Sequence, residues 1–286
     1  MIPPEFDYIR AGSVDDAVAA LGEHGDEAKV LAGGQSLIPL LRLRLAYPTV
    51  LVDVGGASDL RGVRDDGDAI VIGAATTHAD VLADPLVRQH APLVAMATAT
   101  VADRQVRHRG TFGGSMSHAD PAGDLPAVAV ALDASFVVAG RGGARRTVPA
   151  GEFFVDYLQT AVGPDELLVE VRVPKLGDGW GFHYEKFHRV AQAWAIVGVA
   201  AAVKRSNGAI AEARIGLTNM GSTPVRARAA EDALRGVAAD TASVGAGADR
   251  AADGTNPPSD LGGQADYRRH LATVLTRRAV LEAAHT

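Results

Sequence analysis

Two glycine-rich segments hold the residue types that could bind a phosphate group. They span residues 32–36 (AGGQS) and 111–115 (TFGGS). Paired glycines let the backbone approach a bound anion closely, and N–H groups that converge in a loop or at a helix start attract negative charge. The two segments together therefore predict a two-part cradle for a phosphate-bearing cofactor.

The residues around the first segment predict a strand, a turn and a helix in that order. Residues 29–32 form a short apolar stretch bounded by glycine, which is typical of a buried strand, and an apolar run begins at Leu37. Ser36 is the expected N-cap of that helix, with Pro39 in its first turn. A Gly-Gly pair before a helix is also typical of a plain tight turn, and it is the second segment that favours the cradle.

Charged and polar residues flank the second segment. A stretch of helical composition, residues 95–101, and the basic run 104–109 (RQVRHR) precede it, and residues 118–126 (HADPAGDLP) follow. Asp124 fits a helix N-cap, with Pro126 in the first turn. As an acceptor-only carboxylate, Asp124 could equally bind the hydroxyls of a sugar or ribityl chain, and one side chain could do both.

The composition excludes several classes of function. The chain has 286 residues, of which 47% are hydrophobic, and its net charge is −6. This charge argues against a general nucleic-acid binder, because the arginines of the basic run are too few to make a basic face. Cysteine is absent, which excludes disulfides, thiolate nucleophiles, zinc–thiolate sites and cysteine-ligated iron–sulfur clusters. Any redox role therefore requires a bound organic cofactor.

The search for other motifs gives no further site. The first residues lack the pattern of a secretory signal, and no uninterrupted apolar stretch is long enough for a bilayer, so we expect a soluble cytoplasmic protein. There is no GxxxxGKS/T, HExxH or EF-hand pattern. Residues 140–143 (GRGG) lead to no helix and predict a turn. His183 and His188 would point to opposite faces of a strand, so no metal site is predicted.

The first 174 residues alternate between strand and helix patterns, which indicates an α/β or α+β protein. We predict strands at 49–54, 69–73, 135–138 and 167–173, and helices at 13–22, 78–83 and 153–160. Residues 175–179 (KLGDG) are the predicted domain boundary.

A smaller domain with an antiparallel sheet is predicted after this boundary. Strands are expected at 181–189, 193–205 and 209–217, and a turn at 206–208 (SNG). The alanine-rich middle stretch is helical by propensity, but the turn after it favours a strand. Helices at 227–238 and 265–284 and a flexible linker at 245–263 complete the prediction.

The glycine segments and their surroundings resemble a known family. AGGQSLIPLLRLRLA and RQVRHRGTFGGSMSHADPAGDLPAV are similar to the FAD-binding medium subunit of molybdenum hydroxylases, a group that includes carbon monoxide dehydrogenase and the flavin part of xanthine dehydrogenase. Stretches at 153–174, 216–226 and 267–271 match as well. The resemblance implies an α+β fold: a two-part FAD-binding region of the vanillyl-alcohol oxidase-like type (1–174, with parts of about 1–54 and 55–174), then a small α+β domain (175–286).

The resemblance also implies which residues bind FAD. The pyrophosphate would lie on the two glycine segments, Val101 would offer a backbone contact, Asp124 would lie on the ribityl side, and the remaining residues near the flavin ring. The implied set is Ala32, Gly33, Gly34, Gln35, Ser36, Val101, Thr111, Gly114, Ser115, Asp124, Leu168, Lys186 and Trp194. No residue is predicted to be catalytic in itself, since the redox chemistry would take place on the flavin.

Two of these residues have alternative interpretations. A cation at Lys186 would stabilise an anionic reduced flavin, but an ordinary strand lysine is equally compatible with the sequence. Trp194 is either an aromatic neighbour of the ring or a core tryptophan. This chain departs from the family pattern at three places: relatives often have His at position 35, Asn at 115, and Asp followed by Tyr or Phe at 193–194. These departures concern the contacts around the ring and therefore the electron acceptor.

The implied function is electron transfer within a heteromeric complex. A large molybdopterin subunit would oxidise the substrate, a small subunit with two 2Fe–2S clusters would relay electrons, and the FAD of this chain would pass them to an external acceptor. Two alternatives remain open at this point. One is a free-standing flavoprotein oxidase or reductase with its own substrate pocket, and the other is a non-catalytic nucleotide-binding interaction subunit.

Overall fold

A computed structural model describes residues 2–285, which contain three main sheets. The first is a parallel sheet with strand order β1-β3-β2. Ser13 caps its first helix by accepting a hydrogen bond from the amide of Asp16 at 3.1 Å. The elements of this part are β1 (Asp7–Arg10), α1 (Val14–His24), β2 (Ala28–Leu31), α2 (Leu37–Arg42) and β3 (Val50–Asp53).

The second sheet is antiparallel and has the order β4-β5-β10-β6-β7. Its central strand, β10, is the last of the five in the chain and pairs with β5 on one side and β6 on the other. The elements are β4 (Val63–Asp65), β5 (Ala69–Gly73), α3 (His78–Ala83), α4 (Pro85–His90), α5 (Pro92–Ala99), α6 (Arg104–Arg107), α7 (Phe112–His118), α8 (Asp124–Ala131), β6 (Ser135–Ala139), β7 (Arg145–Pro149), α9 (Ala150–Phe153), β8 (Phe154–Asp156), β9 (Gln159–Thr160) and β10 (Leu167–Pro174).

The third sheet is antiparallel with the order β11-β12-β13-β14. Asn207 and Gly208 form the predicted turn between its two long strands, with φ angles of 51° and 81° that suit Asn and Gly. The elements are β11 (Trp180–Phe187), β12 (Val197–Ser206), β13 (Ala209–Thr218), β14 (Val225–Arg226), α10 (Arg228–Leu234), α11 (Thr241–Ala248) and α12 (Ala265–His285).

The alanine-rich stretch is a strand because it is covered on both faces. Ala200 and Ala202 belong to the core around α8, whereas Val199, Ala201 and Val203 belong to the core under α12. Small side chains let both layers pack closely against the strand. The prediction of a strand is confirmed, with its start at Val197 instead of residue 193.

The third sheet also lies directly against α8. A Cβ atom added to Gly216 on β13 would lie 2.1 Å from the carbonyl oxygen of Ala127 on α8. Only glycine allows this approach of two backbones. Tyr184 of β11 is buried in the same core as α8. The small sheet and the part of the chain before it therefore share a packed interface.

Two predicted segments are wrong. Residues 153–160 are not a helix: α9 ends at Phe153 and the hairpin β8–β9 follows. Phe153 stacks on Phe136 with ring centroids 3.8 Å apart and Phe154 packs edge-on against both rings, so aromatic packing fixes the chain in this path. Residues 245–263 are not a flexible linker, because α11 extends to Ala248 and the segment buries Ala251 completely.

The two predicted helix caps have different outcomes. Ser36 occupies the N-cap position of α2 as predicted, but its side chain makes no capping hydrogen bond. Gly123, not Asp124, occupies the N-cap of α8, and the Asp124 carboxylate turns inward to other partners. Among residues 2–285, no helix combines the length and the apolar character that a bilayer span requires.

Candidate functional site

A cavity of about 1020 Å³ lies between the two glycine segments and extends to β10 and β11. This volume is at the upper end of the range for small-molecule and cofactor sites, roughly 300–1,000 Å³. Every residue that the sequence predicted as a cofactor contact lines this one cavity: Ala32, Gly33, Gly34, Gln35, Ser36, Val101, Thr111, Gly114, Ser115, Asp124, Leu168, Lys186 and Trp194.

The first glycine segment presents free backbone donors to the cavity. Gly34 has a φ angle of +72°, a conformation that glycine adopts without strain. The amides of residues 33–36 donate no hydrogen bond to any other group of residues 2–285. Consecutive unpaired amides in a turn form an anion-binding concavity. The first segment therefore has the donors that the cradle hypothesis requires.

The second glycine segment differs from this prediction because it is the start of α7. Thr111 is the N-cap, and its hydroxyl accepts a hydrogen bond from the amide of Gly114 at 3.2 Å. The amides of Phe112 and Gly113 donate to the carbonyls of Thr76 and Ala74, each at 2.9 Å. These amides are used within the fold and are not available to an anion. The Ser115 hydroxyl has no partner within the described residues and is a free donor of this segment.

Gly33 of the first segment lies against the backbone that immediately precedes the second segment. A Cβ atom at this position would lie 2.2 Å from the carbonyl oxygen of Arg109 and 2.7 Å from Cα of Gly110. The missing side chain at Gly33 therefore makes room for the neighbouring backbone. The absence of Cβ at Gly33 allows the two halves of the cradle to meet.

A buried polar cluster forms another part of the cavity lining. Lys186 Nζ donates to Asp124 Oδ2 at 2.8 Å and to the carbonyl of Thr100 at 3.1 Å, and the Tyr184 hydroxyl donates to Asp124 Oδ1 at 2.7 Å. Burial raises the pKa of Asp124, whereas Lys186 and Tyr184 favour the carboxylate and act in the opposite direction. Burial, followed by the Asp124 charge, raises the pKa of Tyr184 well above its usual range, so the phenol remains a donor.

His78 is a cavity residue that the sequence did not identify. It begins α3, its imidazole is buried, and Nδ1 has no hydrogen-bond partner among residues 2–285. Burial, with a smaller contribution from Arg107, lowers the pKa of His78 to about 4, so the ring is neutral at neutral pH. The only sequence signal for a role of His78 was its place at a helix start shortly after a buried strand. This place does not distinguish His78 from other histidines.

The apolar side of the cavity is formed by residues of different exposure. Leu168 on β10 is buried, and Val101 lies between α5 and α6. Trp194 precedes β12 and is 55% exposed while still lining the cavity. The interpretation of Trp194 as a core residue is therefore wrong.

The donor set and the apolar wall fit a cofactor with both a phosphate and a ring system. Free amides and a hydroxyl line the cavity, and so do a buried ion pair and apolar side chains. Within residues 2–285, no group of three His, Asp or Glu side chains could hold a metal ion. The fold and the cavity define a protein that binds a large organic cofactor.

Comparison with protein families identifies this class more narrowly. The family described as the FAD binding domain in molybdopterin dehydrogenase matches residues 4–176, and the CO dehydrogenase flavoprotein C-terminal domain matches residues 182–283. The chain belongs to the family of FAD-binding medium subunits of molybdenum hydroxylases, and thus to the oxidoreductases.

Individual proteins are similar over their whole length. The carbon monoxide dehydrogenase medium chain of Hydrogenophaga pseudoflava is 42% identical over 98% of this chain and 97% of its own. The 6-hydroxypseudooxynicotine dehydrogenase complex subunit alpha of Paenarthrobacter nicotinovorans is 38% identical over 100% and 96%.

Two solved structures show the same fold. Carbon monoxide dehydrogenase from Hydrogenophaga pseudoflava, in a form that lacks the Mo-pyranopterin moiety, matches with a TM-score of 0.95 and 44% identity over 99% of this chain and 98% of the other. Quinoline 2-oxidoreductase from Pseudomonas putida 86 matches with a TM-score of 0.94 and 34% identity, over 100% and 99%. The predicted fold class and family are confirmed.

Proposed function

We propose that this chain is the FAD-binding electron-transfer subunit of a heterotrimeric molybdenum hydroxylase. One observation carries the proposal: the residues from three parts of the sequence that the family resemblance implies as cofactor contacts line a single cavity, and the four amides of residues 33–36 are free beside it. This is the arrangement that a dinucleotide cofactor requires, because its pyrophosphate needs convergent donors and its ring needs an apolar wall.

Each part of the cavity has a proposed role in holding the cofactor. Residues 32–36 and the Ser115 hydroxyl bind the pyrophosphate, with Thr111 and Gly114 shaping the start of α7. Asp124 lies on the ribityl side, and Leu168, Lys186 and Trp194 lie near the ring, with a backbone contact from Val101. Bound FAD supplies reversible electron transfer. The Asp124–Lys186 pair places a compensated charge there, so the electrostatic effect of Lys186 on the ring depends on Asp124.

The proposed partners follow from what this chain lacks and from its relatives. With no cysteine, the chain cannot ligate iron–sulfur clusters through thiolates, so we assign the 2Fe–2S clusters to a small subunit and molybdopterin to a large one. Relatives of similar identity are named as carbon monoxide, 6-hydroxypseudooxynicotine and glyceraldehyde dehydrogenase subunits. We infer that the molybdenum subunit determines the substrate and that this chain passes the electrons to an external acceptor.

The division of labour within the chain is part of the proposal. The cofactor is held mainly by residues 1–174, with parts of about 1–54 and 55–174, and residues 175–286 form the second domain. Lys186 and Trp194 of the second domain then complete the site from the other side.

The test is to purify the chain alone, measure its flavin absorbance and then assay it with and without its partner subunits. We expect bound FAD, no oxidation of organic substrates by the single chain, and acceptor reduction only in the assembled complex. Turnover by the flavin-loaded single chain would instead support a free-standing oxidase. Bound flavin that undergoes no redox change in the assembled complex would support a non-catalytic interaction subunit.

A further inference from the structure

The segment 188–196 between β11 and β12 brings Trp194 to the exposed edge of the cavity. Most of this segment is exposed, but its last two residues, Ala195 and Ile196, are buried. The amide of Ile196 donates to the carbonyl of Phe187 at 2.8 Å, which closes the base of the segment. The position of Trp194 is therefore determined by how this base is held.

Two side chains from distant elements hold the carbonyls that follow Trp194. Arg268 lies near the start of α12 and donates through Nη1 to the carbonyl of Ile196. Asn219, just after β13, donates through Nδ2 to the carbonyl of Ala195 at 2.9 Å. Both donors are buried, and Arg268 is only 1% exposed. The base of the segment is thus fixed by side-chain hydrogen bonds in addition to its own backbone.

The environment of Arg268 is specialised for this contact. Its other terminal nitrogen, Nη2, donates to Asp260 Oδ1 at 2.5 Å, and Asp260 in turn accepts from the amide of Gly262 at 2.6 Å. Burying a guanidinium costs free energy unless it is paired, and the neighbouring buried positions of α12, such as Leu271 and Leu275, are apolar. Packing of α12 alone would favour another apolar residue, so the charge at 268 needs a different explanation.

We infer that Arg268 is a positioning residue: with Asp260 and Asn219 it fixes the base of the segment 188–196, so that Trp194 forms a stable wall of the cavity. This inference rests on the proposed function for its consequence, which is that the wall governs how closely an electron acceptor approaches the flavin. A further contact supports the same base, because the ring of Tyr267 meets that of Phe187 edge-on with centroids 6.5 Å apart.

The two tryptophans of the chain make the inference measurable without any cofactor. In a Trp180→Phe background Trp194 is the only tryptophan, and its anisotropy decay and acrylamide quenching report its mobility and accessibility. Arg268→Met should cause a loss of the slow anisotropy component and raise the quenching constant toward that of a free indole. Arg269→Met changes the exposed neighbouring arginine on the same helix and should alter neither quantity.

Asp260→Asn provides a second variant, because its side chain is half exposed and the amide oxygen can still accept from Gly262. It should mobilise Trp194 in the same direction but less, and it decides the question if Arg268→Met does not fold. Unchanged anisotropy in a folded Arg268→Met or Asp260→Asn protein, or an equal change in Arg269→Met, would overturn the inference. Flavin content is measured separately, so failure of the Trp180→Phe parent to bind FAD would count against the proposed function alone.

Discussion

Lys186 Nζ lies 2.8 Å from Asp124 Oδ2, although the two residues are 62 positions apart in the chain. Asp124 begins α8 and Lys186 lies on β11, so the ion pair joins the part of the chain before residue 175 to the small sheet. Both side chains are 4% exposed and both line the cavity. A charge pair so little exposed is stable only while both partners remain, because each compensates the desolvation of the other.

Lys186→Met should therefore be strongly destabilising. It leaves the Asp124 carboxylate buried with Tyr184 as its remaining partner, and breaking a buried pair in this way costs about 3–5 kcal/mol. The measurement is the free energy of unfolding from urea titration. Lys175→Met is the matched control, because its partner Asp65 is exposed and a much smaller loss is expected. Equal losses in the two variants would show that the Asp124 pair is not the stabilising contact we describe.

Acid should destabilise the protein through His78. The pKa of His78 is about 4 in the folded protein, whereas an ordinary histidine, as in the unfolded chain, has a pKa of 6.5. The unfolded chain therefore binds the proton first as the pH falls. The contribution to stability is complete above pH 6.5 and is lost as the pH falls toward 4. The loss amounts to about 3 kcal/mol at most.

Urea titrations across this pH range test the prediction with His78→Asn, which cannot titrate. The free energy of unfolding of the variant should fall less steeply between pH 6.5 and 4. The difference in slope between the two proteins should correspond to the uptake of at most one proton on unfolding. The same slope in both proteins would assign the acid sensitivity to other groups.

Gly33→Ala should displace the first glycine segment from the backbone that immediately precedes the second. The new methyl group would lie 2.2 Å from the backbone oxygen of Arg109, which cannot rotate away, and such overpacking costs roughly 1–3 kcal/mol. We expect a lower free energy of unfolding together with loss of bound FAD. Gly151→Ala is the control, since an added Cβ there meets nothing within 4 Å and lies in α9. Full flavin content in Gly33→Ala would mean that contact between the segments is not needed for the cradle.

Trp194→Ala should brighten the fluorescence of bound flavin while changing stability little. The indole lies on the cavity wall, so its removal should relieve quenching of the flavin fluorescence. Because the indole is more than half exposed, its removal takes little packing away from the core. Trp180→Ala should leave the flavin emission unchanged and lower the free energy of unfolding, because this ring packs against the Arg214 guanidinium at 5.1 Å and does not line the cavity. Unchanged flavin emission in both variants would separate Trp194 from the ring.

Local sequence signals predicted the elements that depend on local interactions. The cap at Ser13 is made within one turn of chain. The Asn207-Gly208 turn fixed the strand assignment of the alanine-rich stretch, which propensity alone would have assigned to a helix. The cavity lining was predicted through family resemblance, and the order of the motifs along the chain was sufficient for that.

The remaining features depend on contacts between distant residues. Asp124 has the sequence context of an N-cap, but Tyr184 and Lys186 offer its carboxylate better-placed donors from another sheet. Of the adjacent Arg268 and Arg269, only the former is buried, and the choice depends on where Ile196 meets α12. In the same way, the amides at the start of α7 are unavailable to an anion only because they donate to the carbonyls of Thr76 and Ala74. No pattern in the local sequence contains this information.

The shared core between α8 and the small sheet limits how the cofactor can enter and leave. If the small sheet moved outward as a hinged lid, the packing of Ala200, Ala202 and Tyr184 in the shared core would be lost. The close approach of two backbones at Gly216 also opposes sliding of the sheet along α8. We expect exchange of FAD to proceed through local fluctuations of the exposed edge of the cavity, to which Trp194, Tyr47 and Leu158 belong. The rate of cofactor release should accordingly follow the mobility of that edge and be insensitive to the global unfolding rate.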